Sequence, residues 1–496
     1  PLSPPLRKGD LGGFPPPTYL SRRIMQDTDL LYTPVWQLRE LLDTRRVSST
    51  ELTEMFLRRI EQLNPKLNAY LTVTGDEALA AAKAADEKIG QGQGNGPLLG
   101  IPISLKDLEA TKGIRSTMGS LAYQDTIPEI DSVVAERVKA SGAVLLGKTN
   151  TPEFGLQGTT ENRLGDPCRN PWNTERTAGG SSGGAGAAVA AGMCPFATGT
   201  DGGGSIRNPS SFNGIFGIKP TLGRVPRAGG LGRPAPNLTS QSGPMARNVR
   251  DAAILLKVLA GHDSRDPGSM RDSVPDFLAG LDNGVRGLRI AWSTGMGYAT
   301  IDPEVAAITS TAARVFEELG CTVDDPEFAL DNPIPAFLTI FYTGNYTSYG
   351  HLMEECPDKL SDNARFCFEH GSQATAADYA RAIRSVDEMK AKIDDLMDNY
   401  DLLLTPTMAV PPFPIGQPPD SIDGKDVPPR SSYSPMTRPF NLSGQPAASV
   451  PCGFSSEGLP IGLHIIGKRG DEATVLRASA AFEQARPWEH HRPDIS

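Results

Sequence analysis

The segment from Thr177 to Thr221 decides the fold, and its sequence is TAGGSSGGAGAAVAAGMCPFATGTDGGGSIRNPSSFNGIFGIKPT. It is rich in glycine and serine, but flexible linkers of that composition lack apolar periodicity and fixed turn chemistry. Gly179–Gly184 leads here into a small-residue helix predicted at Ala185–Ala191, and Phe196–Thr198 is predicted as a short buried strand. The segment therefore predicts a glycine loop, a helix and a strand that pack closely together.

A second glycine run follows this strand, with the sequence Asp201-Gly202-Gly203-Gly204-Ser205. Because glycine has no Cβ, successive backbone N–H groups can point into one space and bind negative charge. The hydroxyl of Ser205 stands at the end of that run. The pattern predicts a serine nucleophile whose oxyanion hole is formed by the N–H groups of Gly202, Gly203, Gly204 and Ser205.

Three motifs in this segment resemble those of the amidase signature family: G-G-S-S-G-G, then G-T-D-x-G-G-S-I-R-x-P, then G-x-x-G-x-K-P-T. A fourth match is Lys106, which follows an apolar run predicted as a buried strand at Leu98–Leu105. Lys106 and Ser181 are 75 residues apart, and Ser181 and Ser205 are 24 apart. These separations are those expected of the family's Lys/Ser/Ser triad.

The resemblance implies that Ser205 is the nucleophile, that Lys106 is the base, and that Ser181 relays the proton between them. It also implies a cis peptide bond between Gly180 and Ser181. A lysine with its ordinary pKa near 10.4 is protonated at pH 7, so burial of Lys106 has to lower its pKa. The residues expected to support the triad are Gly180, Ser182, Asp201 and Arg207.

Two of these supporting roles are structural in our interpretation. Asp201 and Arg207 are expected to bond the loop backbone and each other rather than to take part in the chemistry. For Ser182 two roles stay open, a hydrogen bond near the triad and a simple turn.

A Ser–His–Asp hydrolase is the first alternative, because Gly179–Gly183 matches G-x-S-x-G. That motif requires a preceding strand, whereas Asn173–Ala178 is polar and is predicted as a loop. None of the histidines lies in a triad-like setting beside a carboxylate; they are His262, His351, His370, His464, His490 and His491. The motif match therefore carries little weight.

A phosphate-binding loop is the second alternative, because Gly142–Thr149 matches G-x-x-x-x-G-K-[ST]. The mechanism of that motif requires a strand, a bare loop and then a helix. Here Ala143–Leu146 is itself predicted as a strand, and it follows a helix predicted at Val133–Ala140. The match is therefore interpreted as coincidental.

Composition excludes several classes of protein. The formal net charge of −10 argues against a nucleic-acid partner, which usually binds a basic surface. No apolar run reaches the roughly 18 residues of a membrane span. The six cysteines form no C-x-x-C pair, so neither zinc, a redox motif nor a disulfide framework is indicated. We expect a cytoplasmic enzyme that needs no metal and no organic cofactor.

The predicted fold class is α/β, an amidase signature fold with a mixed, mostly parallel β-sheet sandwiched between α-helices. Residues 1–34 form a Pro/Gly-rich N-terminal extension, and residues 35–490 form a single domain. That domain is divided into a helical arm (35–95), a catalytic core (96–225) and a variable substrate-pocket region (330–430). The resemblance covers the chain from about residue 38 to about residue 485.

The predicted function is cleavage of C–N bonds in neutral, apolar or aryl amides, with carbamates (urethanes) and esters as further substrates. The partner is thus a small-molecule amide or carbamate, and the resemblance allows a homodimer. The alternative is the glutamine amidohydrolase subunit of a tRNA-dependent amidotransferase. In that branch an aspartate is expected seven residues before the Asn of N-L-x-G-x-P, to hold the ammonium of glutamine. Here that Asn is Asn441, and the aspartate position is Ser434.

Overall fold

The computed structural model describes residues 30–93, 96–233, 235 and 237–495. Most of the predicted N-terminal extension, residues 1–29, lies outside this range. Within the described part of the chain, no helix combines the length and the apolar character needed to cross a bilayer.

The centre of the molecule is a sheet of eleven strands, which we number in chain order along with two small two-stranded sheets. From one edge to the other they are β1 (Tyr70–Val73), β3 (Val144–Thr149), β2 (Pro102–Lys106), β6 (Phe196–Asp201), β8 (Gln241–Ala246), β7 (Phe216–Lys219), β14 (Ala447–Phe454), β15 (Pro460–Gly467), β11 (Leu402–Pro406), β9 (Arg289–Trp292) and β10 (Thr322–Asp324). The small sheets are β4 (Arg169–Asn170) with β5 (Asn173–Thr177), and β12 (Ser421–Ile422) with β13 (Lys425–Asp426).

The central sheet is mixed, as predicted, but it is less parallel than the alternation of strands and helices suggests. Neighbouring strands run parallel in two stretches, β3–β2–β6 and β11–β9–β10. The other six pairs among these strands are antiparallel. The difference arises because β7, β8, β14 and β15 pair with antiparallel neighbours across the middle of the sheet.

Helices cover both faces of the sheet. Their bounds are α1 (Val35–Asp43), α2 (Ser49–Leu67), α3 (Gly75–Gly90), α4 (Val133–Ala140), α5 (Gly183–Ala190), α6 (Arg207–Asn213), α7 (Val249–Leu259), α8 (Pro303–Glu318), α9 (Ile334–Tyr349), α10 (Leu352–Glu355), α11 (Asp362–Gln373), α12 (Ala376–Asn399), α13 (Pro439–Leu442) and α14 (Glu472–Ala485).

Alternate residues of β11 show how the two layers divide the core. Leu402 and Leu404 pack into one hydrophobic cluster with residues of α7, α8 and α14. Leu403 packs into a second cluster with residues of α9 and α12. Successive side chains of a strand point to opposite faces, so the sheet is buried on both sides. The predicted α/β sandwich is confirmed.

The strand that carries Lys106 is shorter than its apolar run. The sequence predicts a strand over Leu98–Leu105, whereas β2 spans Pro102–Lys106 and Leu98–Ile101 is a turn. Gly100 lies in that turn with a φ of 76°, in the left-handed region that glycine tolerates best. Lys106 is therefore the last residue of the strand.

Two strands lie where the sequence predicts other structure. The predicted arm contains β1, which pairs with β3 at the edge of the central sheet. The stretch predicted as a loop, Asn173–Ala178, contains β5, so that prediction is wrong. Its alternating pattern of exposed and partly buried residues is that of a strand, and β5 pairs with β4 outside the central sheet.

Candidate active site

Lys106 lies at the carboxyl end of a parallel strand inside the sheet. It is the last residue of β2, which runs parallel to β6, and β6 ends at Asp201 just before the second glycine run. Open α/β sheets bind ligands at the carboxyl ends of their strands. The fold therefore places Lys106 and the segment 201–205 at the same end of two neighbouring strands.

The amino group of Lys106 is surrounded by hydroxyl groups. Its Nζ lies 2.7 Å from Ser181 Oγ, 2.9 Å from Ser182 Oγ and 2.9 Å from Thr200 Oγ1, and the Thr200 carbonyl oxygen is 3.4 Å away. The side chain is completely buried. Burial is the main cause that holds the pKa of Lys106 well below its usual value, outweighing the attraction of Asp201 and Glu109. The predicted burial is present, and it favours the neutral amine.

The hydroxyl of Ser182 can donate to the Thr200 carbonyl oxygen, 3.3 Å away, and it accepts from the Thr200 N–H. Its single proton is then used, because a hydroxyl has one O–H donor. Ser181 is left as a neighbouring hydroxyl that can donate to a neutral Nζ of Lys106. Of the two roles left open for Ser182, the structure thus shows the contact near the triad.

The loop before α5 holds Ser181 and Ser205 close in space. The Gly180–Ser181 peptide bond is cis, as the resemblance implies. Next to it, the N–H of Ser182 donates to the carbonyl oxygen of Ser205 at 3.1 Å. A Cβ on Gly180 would lie 2.5 Å from the Thr159 carbonyl oxygen, so the loop can pack here only with glycine.

The second glycine run is tied to Asp201. The Gly204 N–H donates to Asp201 Oδ1 at 2.7 Å, and the Ile206 N–H donates to Oδ2 at 3.2 Å. The prediction that Gly204 is a free oxyanion-hole donor is therefore wrong, because its N–H is already paired with a carboxylate. The N–H groups of Gly202, Gly203 and Ser205 have no acceptor among the described residues.

Asp201 and Arg207 form a buried ion pair beneath this loop. Arg207 Nε donates to Asp201 Oδ2 at 2.9 Å, and Asn441 Nδ2 donates to Oδ1 at 2.8 Å. Burial alone would raise the pKa of Asp201, but the Arg207 charge and these hydrogen bonds hold it well below its usual range. The expected contacts are present, since Asp201 bonds both Arg207 and the backbone of the loop that carries Ser205.

Among the described residues, no histidine hydrogen-bonds to Lys106 or Ser181. His464 is buried, but it accepts from Arg207 at 3.0 Å and lies 3.3 Å from Thr405. Burial, and then the Arg207 charge, lower its pKa well below the usual value. The G-x-S-x-G match does follow a strand, β5, yet Ser181 faces a lysine and not a histidine. The alternative of a Ser–His–Asp hydrolase fails on that geometry.

The phosphate-loop match fails on geometry as well. Residues 144–149 form strand β3, and the Lys148 side chain is fully buried. Its Nζ donates to Thr111 Oγ1 at 3.0 Å and to Ser116 Oγ at 2.9 Å, and also to the Glu109 carbonyl. Lys148 therefore supports the protein interior and cannot reach a phosphate.

A cavity of about 380 Å³ opens over Ser205. One wall is aromatic: the rings of Phe337 and Phe341 stack with centroids 5.2 Å apart, and Tyr342 is tilted against Phe341. Phe337 also packs on the glycine run, since a Cβ on Gly203 would lie 2.7 Å from its ring. These three aromatic residues, which fall within the predicted pocket region 330–430, thus form a wall directly beside the glycine run.

The sequence predicts a second wall only in part: residues 429–430 fall in the predicted pocket region and Ser434 was singled out, whereas 155–161 were missed. Residues 155–159 and Glu161 line the same cavity, together with 429–430, Tyr433, Ser434 and Arg438. The segment 155–161 carries no periodicity or motif that separates it from an ordinary loop. Its one signal is Gly155, which has a φ of 72° and whose added Cβ would lie 3.2 Å from Ser181 Oγ.

Known proteins resemble this chain in sequence and in structure. A family model described as Amidase matches residues 51–476. The chain is 38% identical to a glutamyl-tRNA(Gln) amidotransferase subunit from Moorella thermoacetica, over 94% of this chain and 99% of that protein. It is 34% identical to an acylamidase from Rhodococcus erythropolis, over 95% and 98% of the two chains.

A solved structure gives the same result. The crystal structure of a bacterial aryl acylamidase of the amidase signature family is similar with a TM-score of 0.87 and 35% identity, covering 92% of this chain and 97% of that chain. A family model that matches most of the chain and full-length relatives above 30% identity together establish membership. The chain therefore belongs to the amidase signature family and is a hydrolase that acts on amides.

Proposed function

We propose that this enzyme hydrolyses neutral amides with an apolar or aryl group next to the scissile bond, through an acyl-enzyme on Ser205. The observation that carries the proposal is the cavity over Ser205, with stacked Phe337 and Phe341 on one wall and a buried Lys106–Ser181 hydrogen bond beneath it. Aryl carbamates and esters present the same carbonyl to the same nucleophile, so they are further substrates.

The proposed reaction begins when Ser205 Oγ attacks the amide carbonyl. Its proton passes to Ser181 while the Ser181 proton passes to the neutral amine of Lys106. The oxyanion is held by backbone N–H groups of Gly202, Gly203 and Ser205. Lys106, through Ser181, then returns the proton to the leaving nitrogen as the C–N bond breaks. Water, deprotonated by the same route, releases the acid from the acyl-enzyme.

Glutamine hydrolysis for a tRNA-dependent amidotransferase is the second candidate, and the 38% identity to the Moorella thermoacetica protein favours it. Two side chains oppose it. The position expected to hold the ammonium of glutamine is Ser434, and buried Arg438 lines the same cavity. Of the carboxylates in the lining, Glu161 is only partly buried and Asp362 is exposed. A buried positive charge beside an uncharged serine is a poor match for an ammonium.

The test is steady-state hydrolysis of benzamide, an anilide, an aryl carbamate, p-nitrophenyl butyrate and glutamine. Wild type is compared with Ser205→Ala and Lys106→Ala. We expect turnover of the neutral aromatic substrates, none of glutamine, and no activity in either variant. Turnover of glutamine alone would overturn the proposal and establish the second candidate.

A further inference from the structure

A buried acceptor beside the nucleophile has no donor. Asn208 is the second residue of α6, and it is 2% exposed. It lines the same cavity as Ser205. Its Oδ1 is buried and has no hydrogen-bond partner among the described residues. Buried polar atoms in native proteins are nearly always paired, so an unpaired one at the cavity requires an explanation.

Two donors near Asn208 Oδ1 are already committed. A Cβ on Gly204 would lie 2.4 Å from this oxygen and 2.3 Å from Thr437 Oγ1, so both oxygens pack against Gly204. The Gly204 N–H donates to Asp201, and the Thr437 hydroxyl donates to the Gly203 carbonyl at 3.0 Å. Neither of these donors therefore completes the hydrogen bonding of Asn208, and a group bound in the cavity can do so.

We propose that Asn208 Oδ1 accepts a hydrogen bond from a substrate N–H or O–H close to the scissile carbonyl. The inference rests on the proposed amide hydrolysis and names the substrate class within it: amides that carry a donor on the scissile nitrogen or on the α-carbon of the acyl group. A site built to pair with such a donor discriminates strongly against the analogue that lacks it, because the buried acceptor then stays unpaired.

Two pairs of substrates test this and distinguish the two donor positions. N-methylbenzamide and N,N-dimethylbenzamide differ in the N–H of the scissile nitrogen, and mandelamide and phenylacetamide differ in an O–H on the α-carbon. We expect kcat/KM in wild type to favour the donor-bearing member of one pair by roughly ten-fold or more. Asn208→Leu, which keeps the volume and removes the acceptor, is expected to abolish that ratio.

The controls separate this role from a structural one. Asn208→Asp keeps an acceptor oxygen and is expected to retain the ratio. Asn363→Leu is the matched control, because Asn363 lines the same cavity but its Oδ1 already accepts from Arg430 at 2.8 Å. It is expected to retain the ratio as well. Asn208→Ser, which shortens the acceptor, replaces Asn208→Leu if the leucine variant does not fold.

A binding measurement makes the result independent of turnover. Calorimetry gives the affinities of the same four compounds for Ser205→Ala and for the double variant Ser205→Ala with Asn208→Leu. If wild type hydrolyses none of the amides, the proposed function fails, while the affinity ratios still decide the role of Asn208. Equal ratios with and without Asn208→Leu in both pairs would overturn the inference. If Asn208→Leu abolishes the ratio between the two members of one pair, the inference is supported, and that pair identifies the position of the donor.

Discussion

Two buried lysines lie at the ends of neighbouring parallel strands, and they differ in what surrounds them. Lys106 ends β2, and Lys148 lies opposite Leu105 on β3. Lys106 contacts hydroxyls and a carbonyl, whereas Lys148 also lies 4.0 Å from the carboxylate of Asp107. Burial lowers the pKa of both, for Lys148 to about 8. A carboxylate in contact thus distinguishes the lysine that keeps its proton at neutral pH from the lysine that can serve as a base.

Replacing Lys106 should have the largest effect on catalysis. Lys106→Met keeps the length of the side chain and removes the amine, so no base remains to accept the proton of Ser205 through Ser181. We expect kcat/KM to fall about 10³-fold, in the range that general-base catalysis contributes. Thermal unfolding should stay close to wild type, because a buried amine is replaced by an apolar group. Activity within ten-fold of wild type would contradict the proposed base.

Replacing Lys148 should instead cost stability. Asp107 Oδ1 has no hydrogen-bond partner among the described residues, and burial, opposed by Lys148, already raises the pKa of Asp107. Lys148→Met leaves that carboxyl buried without its counter-charge, which should lower the free energy of unfolding by about 3 kcal/mol. Urea unfolding at pH 7 measures this.

The control for Lys148 is a double replacement. Lys148→Met combined with Asp107→Leu removes both charges, and a buried pair can be exchanged for apolar groups at little cost. Recovery of most of the lost stability is expected. If Lys148→Met alone unfolds like wild type, the buried pair does not matter for stability and the contrast with Lys106 loses its physical basis.

A carboxylate placed beside Lys106 should make it behave like Lys148. Thr200 Oγ1 lies 2.9 Å from Lys106 Nζ, so Thr200→Asp introduces a negative charge in contact with the amine. An adjacent negative charge raises a lysine pKa, so Lys106 holds its proton to higher pH. The acid limb of kcat/KM should move up by about one pH unit or more, with about ten-fold lower activity on that limb and recovery as the pH rises.

Thr200→Asn is the control for that shift, because it is polar and similar in size but carries no charge. Its acid limb should stay where it is in wild type. An unchanged limb in Thr200→Asp would mean that Lys106 is not the group whose deprotonation activates the enzyme.

The residues of the proposed triad were predicted from short motifs and from the resemblance that these motifs carry. Glycine-rich turns and the lysine at the end of an apolar strand are visible in the chain itself, and so is the supporting pair Asp201 and Arg207. The hydrogen bond from the Gly204 N–H to Asp201 was not predictable, because it depends on the orientation of the Asp201 side chain in the folded protein. Counting the glycines of the run therefore overestimates the number of N–H groups that are free to bind an oxyanion.

The parts of the fold and site that depend on distant neighbours were predicted less well. The antiparallel middle of the sheet depends on which strands meet, and β14 and β15 lie more than 200 residues after β7 and β8. The wall at 155–161 likewise acquires its role only by packing across the cavity from Phe337. Polar β5 was missed because only its pairing with β4 makes it a strand.

The smallest effect is expected at Ser182, and it bears on how the proton travels. Ser182 Oγ lies 2.9 Å from Lys106 Nζ, close to the 2.7 Å of Ser181, but its proton is used by the Thr200 carbonyl. Ser182→Ala should therefore lower kcat/KM only by about five-fold, the value of one lost hydrogen bond that orients the amine. Ser181→Ala breaks the relay itself and should cost at least ten times more. Equal losses in the two variants would mean that both hydroxyls carry the proton, and the orientation of Ser182 toward Thr200 would then not decide the path.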